Sequence, residues 1–247
     1  MLKILYLHAK QSYPMLRRKQ LLVPLLNIFL MLGLFLLGTQ EAQATHAKGA
    51  DISYVCLGPV AGGMQYGLTL NIYRECSGIN LPTRQSISWR GTSISGTTNC
   101  NGVVMANRDA IIDITPVCPT QQSSCGGNGT FGVEKHIYTA VITIPFDCTD
   151  IIFSWRLCCR NNSITTLVGA PAMYVETRNI FNDAATCNNS PVFLNPPAAF
   201  TCIGQTVFYN HGADDPDNDS LRYSLIPCLE NANDPVPYQP GFSGLLP

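Results

Sequence analysis

The stretch QYGLTLNIYREC, residues 65–76, decides the fold class, because its apolar residues alternate with polar ones. In an extended chain, Leu68, Leu70 and Ile72, together with Tyr66, fall on one face, and the intervening residues fall on the other. This period of two is typical of a β-strand with one buried face, whereas a helix would repeat every 3.6 residues.

Similar stretches surround this strand. The run DISYVCL (51–57) precedes it, and GPVAGGM (58–64) between them has the Gly and Pro of a turn, which predicts a hairpin. Further runs rich in β-branched residues are RQSISW (84–89), GVVMA (102–106), AIIDIT (110–115), HIYTAVITIP (136–145) and DIIFSWRLCC (150–159). Short strands at this spacing predict an all-β, Ig-like β-sandwich.

The N-terminus has the three regions of a secretory signal peptide. A basic lead precedes a 17-residue apolar run (21–37), and small residues at Ala42 and Ala44 follow. Residues 1–44 are therefore predicted to be a signal peptide, which leaves a secreted or cell-surface protein with no membrane span. A retained signal anchor is the alternative, since 17 residues lie at the lower limit for crossing a bilayer.

The charge balance after residue 44 argues against one class of partner. Ten basic and 15 acidic residues remain, which gives a net charge of −5. Nucleic-acid binding usually requires a basic patch, so no nucleic-acid partner is expected.

All 11 cysteines follow residue 44, and in an exported chain this density predicts a disulfide framework. Zinc is disfavoured, because no Cys-x-x-Cys occurs and the histidines are scattered. The neighbours Cys158 and Cys159 are expected to bridge different partners, with a vicinal bridge as the alternative, and Cys118 with Cys125 could close a small loop. The ten disulfide candidates are Cys56, Cys76, Cys100, Cys118, Cys125, Cys148, Cys158, Cys159, Cys187 and Cys202.

A domain boundary is expected within CNNSPVFLNPP (187–197), where Pro and Asn indicate an extended linker. It divides a disulfide-rich sandwich, 45–187, from a second module, 188–247. The second segment is short for a complete sandwich. We therefore expect a truncated module that is loosely packed or leaves a sheet edge unpaired.

The second module contains ADDPDNDSLRYSL (213–225), whose alternating acids predict a calcium site. It is not an EF-hand, because Ser220 and Ile226 stand where that loop needs Gly and Glu. A solvated β-turn is the alternative. The predicted metal ligands are Asp215, Asp217 and Asp219.

No catalytic motif is present: the sequence lacks Gly-x-Ser-x-Gly, His-Glu-x-x-His and a phosphate loop, so no enzyme activity is expected. A hydrolase would need two facing carboxylates, for which Asp113, Glu134 and Glu176 were considered. A carbohydrate-binding module would need exposed aromatic residues. The candidates for that role are Trp89, Trp155, Tyr66 and Tyr73, although Trp155 fits a core position better.

Four stretches carry a resemblance to a known group of proteins: THAKGADISYVCLG, LTLNIYRECSG, FSWRLCCRNNSIT and CNNSPVF. They resemble the N-terminal region of secreted, gliding-motility-associated and adhesin-like surface proteins of Bacteroidota. Such proteins often carry PKD or cadherin-like modules, and the Asp-rich segment is similar to the start of a cadherin-like module, with Asn218 in place of Gly. The resemblance implies a partial cadherin-like or PKD-like second module, and it leaves Cys228 as the candidate free thiol.

Together these observations predict an exported structural or adhesion protein of the cell surface, possessing a calcium-binding turn between modules. Its partner would be a cell-surface protein or a glycan. The alternative function is a carbohydrate-binding module of a secreted polysaccharide-degrading system.

Overall fold

The structure is a computed structural model that describes residues 47–116, 121–129, 131–161, 164–183, 185–197, 206 and 208–246. The predicted signal peptide and the cysteines at 118 and 202 lie outside these ranges. The strands are β1 (Ala47–Val60), β2 (Gly63–Glu75), β3 (Arg84–Ser93), β4 (Asn101–Asp113), β5 (Val133–Ile144), β6 (Cys148–Leu157), β7 (Met173–Asn179), β8 (Val192–Phe193), β9 (Ala213–Asp214), β10 (Leu229–Asn231) and β11 (Asp234–Pro235). A short 3₁₀ helix spans Ser124–Gly126.

Nine strands form one antiparallel sheet in the order β1-β2-β5-β4-β3-β6-β7-β10-β11. Strand β4 belongs to two layers: its first half pairs with β3 and its second half with β5, and the register shifts between Arg108 and Ala110. Such a bulge bends a strand and increases its twist. The sheet therefore folds over on itself, with β1, β2 and β5 in one layer and β3, β6 and β7 in the other.

Aromatic rings show that the two layers face each other. The Phe153 ring on β6 lies 5.8 Å from the Tyr54 ring on β1 and 6.0 Å from the Tyr66 ring on β2, measured between centroids. These strands are not neighbours in the sheet, so the contacts join opposite layers. The predicted all-β, disulfide-rich sandwich is confirmed.

The alternation in β2 is confirmed as well. Tyr66, Leu68, Leu70 and Ile72 are each at most 1% exposed and lie in the core. The Tyr66 hydroxyl donates to Asn182 Oδ1 and accepts from Asn179 Nδ2, each at 2.9 Å. Burial raises the pKa of Tyr66 to about 12, so its hydroxyl stays protonated at neutral pH.

The predicted hairpin joins β1 to β2. Val60 pairs with Gly63, and Gly62 in the turn has φ 96°, a left-handed conformation that favours glycine. A Cβ on Gly63 would lie 2.0 Å from the backbone oxygen of Ile144, so the close approach of β5 also requires glycine there.

The described residues after 187 form four short strands, β8 to β11. Strands β8 and β9 form a small separate sheet, while β10 pairs with β7 and extends the main sheet. Many large apolar side chains in this part are exposed, among them Phe193, Leu194, Phe208, Leu225, Ile226, Leu245 and Leu246. The expectation of loose packing is confirmed.

Four disulfides occur in the part of the chain that the structure describes: Cys56–Cys187, Cys76–Cys125, Cys100–Cys148 and Cys158–Cys159. Two sequence predictions were wrong. Cys125 lies against the end of β2 and pairs with Cys76 rather than with Cys118. Cys158 and Cys159 follow the end of β6 and pair with each other, so neither bridges a different neighbour.

Cys228 is exposed and forms no disulfide. Its backbone N–H donates to the Tyr238 hydroxyl at 3.0 Å. Across the described residues, no helix has the length and apolar character needed to cross a membrane.

Candidate functional site

Residues 187–190 lie along the outer edge of β1 and fix the chain where it leaves the sandwich. Cys187 is bonded to Cys56. The Tyr54 backbone N–H donates to Ser190 Oγ at 2.8 Å, and the Ser190 backbone N–H donates to the Tyr54 backbone oxygen at 3.0 Å. The Cys56 backbone N–H donates to Asn189 Oδ1 at 2.9 Å. Backbone groups that an edge strand would leave unpaired are thereby satisfied, which also protects the edge from pairing with other chains.

The Asp-rich turn binds to this same segment. The Asp217 carboxylate accepts the backbone N–H of Asn189 at 2.6 Å and its side-chain amide at 2.9 Å. We call residues 187–190 together with residues 215–219 the junction. Two charge-assisted hydrogen bonds thus connect parts of the chain that lie 28 residues apart.

The turn itself is stabilised from within. Asp215 Oδ1 accepts the N–H groups of Asp217 and Asp219, at 2.9 and 3.3 Å. Asn218 has φ 61°, the left-handed conformation expected from its replacement of a glycine. The β-turn interpretation of these residues therefore has a complete structural basis.

The three predicted calcium ligands are not brought together as a metal site. In the described ranges, one group of three potential metal ligands has its ligand atoms within 4.8 Å of one another. It consists of Cys76, Cys125 and Glu134, and the two cysteines form a disulfide. Asp215 and Asp217 direct oxygens at N–H donors, which repel a cation. In this arrangement Asp215, Asp217 and Asp219 do not form a ready-made calcium site, and calcium binding stays a prediction of the sequence.

Replacing Asp217 by Ala is expected to lower the free energy of unfolding by about 1–2 kcal/mol, because both of its hydrogen bonds to Asn189 are lost. The decrease should be the same in calcium and in chelator, as measured by thermal melts. Asp219→Ala is the matched control, since no hydrogen bond of the Asp219 side chain occurs in the described structure. If calcium instead raised the melting temperature of the unchanged protein but not that of Asp217→Ala, the result would support the calcium site.

A groove of about 460 Å³ runs beside the N-terminal half of β1. On its polar side, Asp51 accepts from the Tyr73 hydroxyl at 2.7 Å and from Asn71 Nδ2 at 2.8 Å. Burial raises the pKa of Tyr73, and the negative charge of Asp51 raises it further, so the hydroxyl stays protonated.

The opposite side of the groove is aromatic. Tyr209 and His211 form an edge-to-face pair with ring centroids 4.5 Å apart, and Phe193 is 57% exposed. Exposed rings close to a few fixed polar groups are typical of a ligand-binding surface. The signal for them in the sequence is the aromatic run FYNH (208–211).

Of the four aromatic candidates, Tyr73 alone lines this groove. Tyr66 and Trp155 are core residues that are 0% and 2% exposed, and Trp89 packs against the core. They do not form an exposed row.

The carboxylates considered for catalysis each have a structural partner. Asp113 accepts hydrogen bonds from Ser123 and Thr115. Glu134 is paired with Arg74, and Glu176 accepts from Arg90 at 3.2 Å and from Tyr174. The arginines beside the Cys158–Cys159 bridge also act structurally. Arg156 donates to the backbone oxygen of Glu230, and Arg160 donates to the backbone oxygen of Leu229.

Comparison of this chain with protein-family models, with curated proteins and with solved structures finds no match. The functional argument therefore rests on the geometry of the junction and the groove.

Proposed function

We propose that this is an exported structural protein of the cell surface that acts in adhesion, and that it has no catalytic activity. The observation that carries the proposal is the junction. There the Cys56–Cys187 disulfide and the hydrogen bonds of Asn189 and Ser190 fasten the chain to the first strand, and Asp217 accepts two hydrogen bonds from Asn189. Adhesive surface proteins need modules whose connections keep their geometry outside the cell. A link to gliding motility is the more specific form of this proposal.

Disulfides support the extracellular location. They persist in oxidising compartments and are rare in the cytosol. The bridges from Cys56, Cys76 and Cys100 each join residues that are at least 48 positions apart, so they stabilise the tertiary fold. Together with the signal peptide predicted from the sequence, they favour a protein that folds after export.

A second candidate function, glycan binding, is favoured by the groove beside β1. Sugars bind to exposed aromatic rings and form hydrogen bonds with fixed carboxylates and amides. Phe193 and Tyr209 would provide the rings, and Asp51 would provide the acceptor.

One experiment separates these functions. Beads coated with the purified exported protein are applied to intact cells, and the same protein is applied to a glycan array. Adhesion through a protein partner predicts attachment that protease treatment of the cells abolishes and that Phe193→Ala leaves unchanged.

Glycan binding predicts that affinity for the array falls at least about fivefold in Phe193→Ala and in Tyr209→Ala, which corresponds to about 1 kcal/mol for the loss of one stacked ring. Phe181→Ala is the matched control, because Phe181 is also 55% exposed but does not line the groove. Failure of the beads to attach to any cell surface would contradict the adhesion proposal.

A further inference from the structure

A buried charged cluster joins strands β2 and β5. Arg74 on β2 is 3% exposed and is ion-paired with Glu134 on β5. His136, two residues along β5, is 1% exposed, and its Nε2 lies 2.5 Å from Glu134 Oε1. Arg74 also donates to the Ile79 oxygen at 2.6 Å, which fixes the loop after β2.

A cavity of about 420 Å³ adjoins this cluster. Two of its lining residues, His136 and Ser124, each have a buried polar atom without a hydrogen-bond partner, namely Nδ1 and Oγ. Buried polar atoms are almost always hydrogen-bonded, so two orphans in one cavity call for a partner there. The cavity also has partly exposed walls, including Ile111, which is 50% exposed, so a solute can enter it.

The charges around the cavity do not cancel. The charge of Arg74 is balanced by Glu134. Arg108 on β4 also lines the cavity. One of its guanidinium nitrogens donates to the backbone oxygen of Leu81 at 3.2 Å, and the guanidinium forms no ion pair with any described residue. Asp113 on β4 lies opposite Glu134 on β5, and it accepts hydrogen bonds from Ser123 and Thr115. One positive charge is therefore left without a counter-ion.

We propose that this cavity binds an oxyanion, carried either by a free inorganic ion or by an acidic sugar. The Arg108 guanidinium supplies the charge, and the Ser124 hydroxyl and His136 Nδ1 supply directed hydrogen bonds. A guanidinium with additional polar hydrogens is the arrangement that recognises sulfate and carboxylate groups.

The position of Glu134 makes binding depend on pH. With Nε2 facing this carboxylate, the ring proton of a neutral His136 lies on Nε2, and Nδ1 is then an acceptor that repels an anion. Only the doubly protonated ring donates from Nδ1. Arg74 from β2 and Arg108 from β4 line the same cavity as His136, and the Tyr138 ring stacks on the His136 ring with centroids 6.4 Å apart. Anion binding therefore takes up a proton, so the affinity rises as the pH falls.

The test is titration calorimetry of the full-length exported protein with sodium sulfate and, separately, with a sulfated or uronic-acid disaccharide, near pH 5.5 and near pH 8. We expect binding to be at least about tenfold tighter at the lower pH, because only the doubly protonated ring donates from Nδ1. Sulfate stays a dianion throughout, so the change reports the protein. Binding of sulfate alone identifies a free ion as the ligand, and binding of the disaccharide alone identifies an acidic sugar.

Variants locate the binding in the cavity. Arg108→Gln should weaken binding at least about tenfold, and Ser124→Ala should weaken it by a smaller factor. Arg84→Gln, at an exposed arginine outside the cavity, should leave it unchanged. Melting curves check that each variant is folded. No binding of either solute near pH 5.5, or equal affinity in Arg108→Gln, would overturn the proposal, and equal affinity at both pH values would overturn the proton uptake.

Discussion

Replacing Cys56 and Cys187 together by serine is expected to lower the free energy of unfolding by about 4–5 kcal/mol. The two residues are 131 positions apart, so their bond closes a long loop and restricts the unfolded chain strongly. For a protein of this size the melting temperature should fall by roughly 8–20 °C, measured by calorimetry.

Cys228→Ser is the matched control for this experiment, because Cys228 is exposed and forms no disulfide. It should change the unfolding free energy by less than about 0.5 kcal/mol. If the double serine variant melted within about 3 °C of the unchanged protein, the loop closed by this bond would have to be restrained by other contacts in the unfolded chain.

Replacing Phe153 by Ala is expected to lower the free energy of unfolding by about 3–5 kcal/mol. Its ring is fully buried and contacts Tyr54 and Tyr66 of the opposite layer, so the variant leaves a cavity between the layers. Urea denaturation measures the loss as a lower midpoint.

Phe208→Ala is the matched control, since Phe208 is 95% exposed, and its effect should be within about 0.5 kcal/mol. Similar losses in the two phenylalanine variants would contradict the two-layer packing. If the unfolding free energy of Phe153→Ala depended on urea concentration with a different slope, the denatured or native state would have altered its compactness.

The sequence predicted the strands well because alternation is a local signal. Residues 65–76 identify β2, and the Gly-rich turn before them identifies its hairpin with β1. The order of the strands was not predictable in the same way. The runs predicted separately at 102–106 and 110–115 belong to one strand, β4, which pairs with β3 through its first half and with β5 through its second half. The break between the runs marks the bulge, but it does not identify the strand that each half joins.

The sites depend even more on long-range pairing. Asp217 was identified from its acidic neighbours, but its hydrogen-bond partner Asn189 is 28 residues away, so local sequence could not predict that contact. Arg74 and Glu134 become neighbours only through the register of β2 and β5. Disulfide pairing has the same limit, and the wrong choice of a partner for Cys125 came from preferring the nearer cysteine.

The Cys56–Cys187 bond also determines how the protein responds when it is pulled. Tension applied between a residue before Cys56 and a residue after Cys187 passes through the sulfur atoms, because they form the shortest covalent path. The 131 positions that the bond spans are excluded from that load path. They would add about 450 Å of contour length if they could extend. An unfolded chain under load therefore stays short while this bond is intact, and the additional length becomes available only after the bond is reduced.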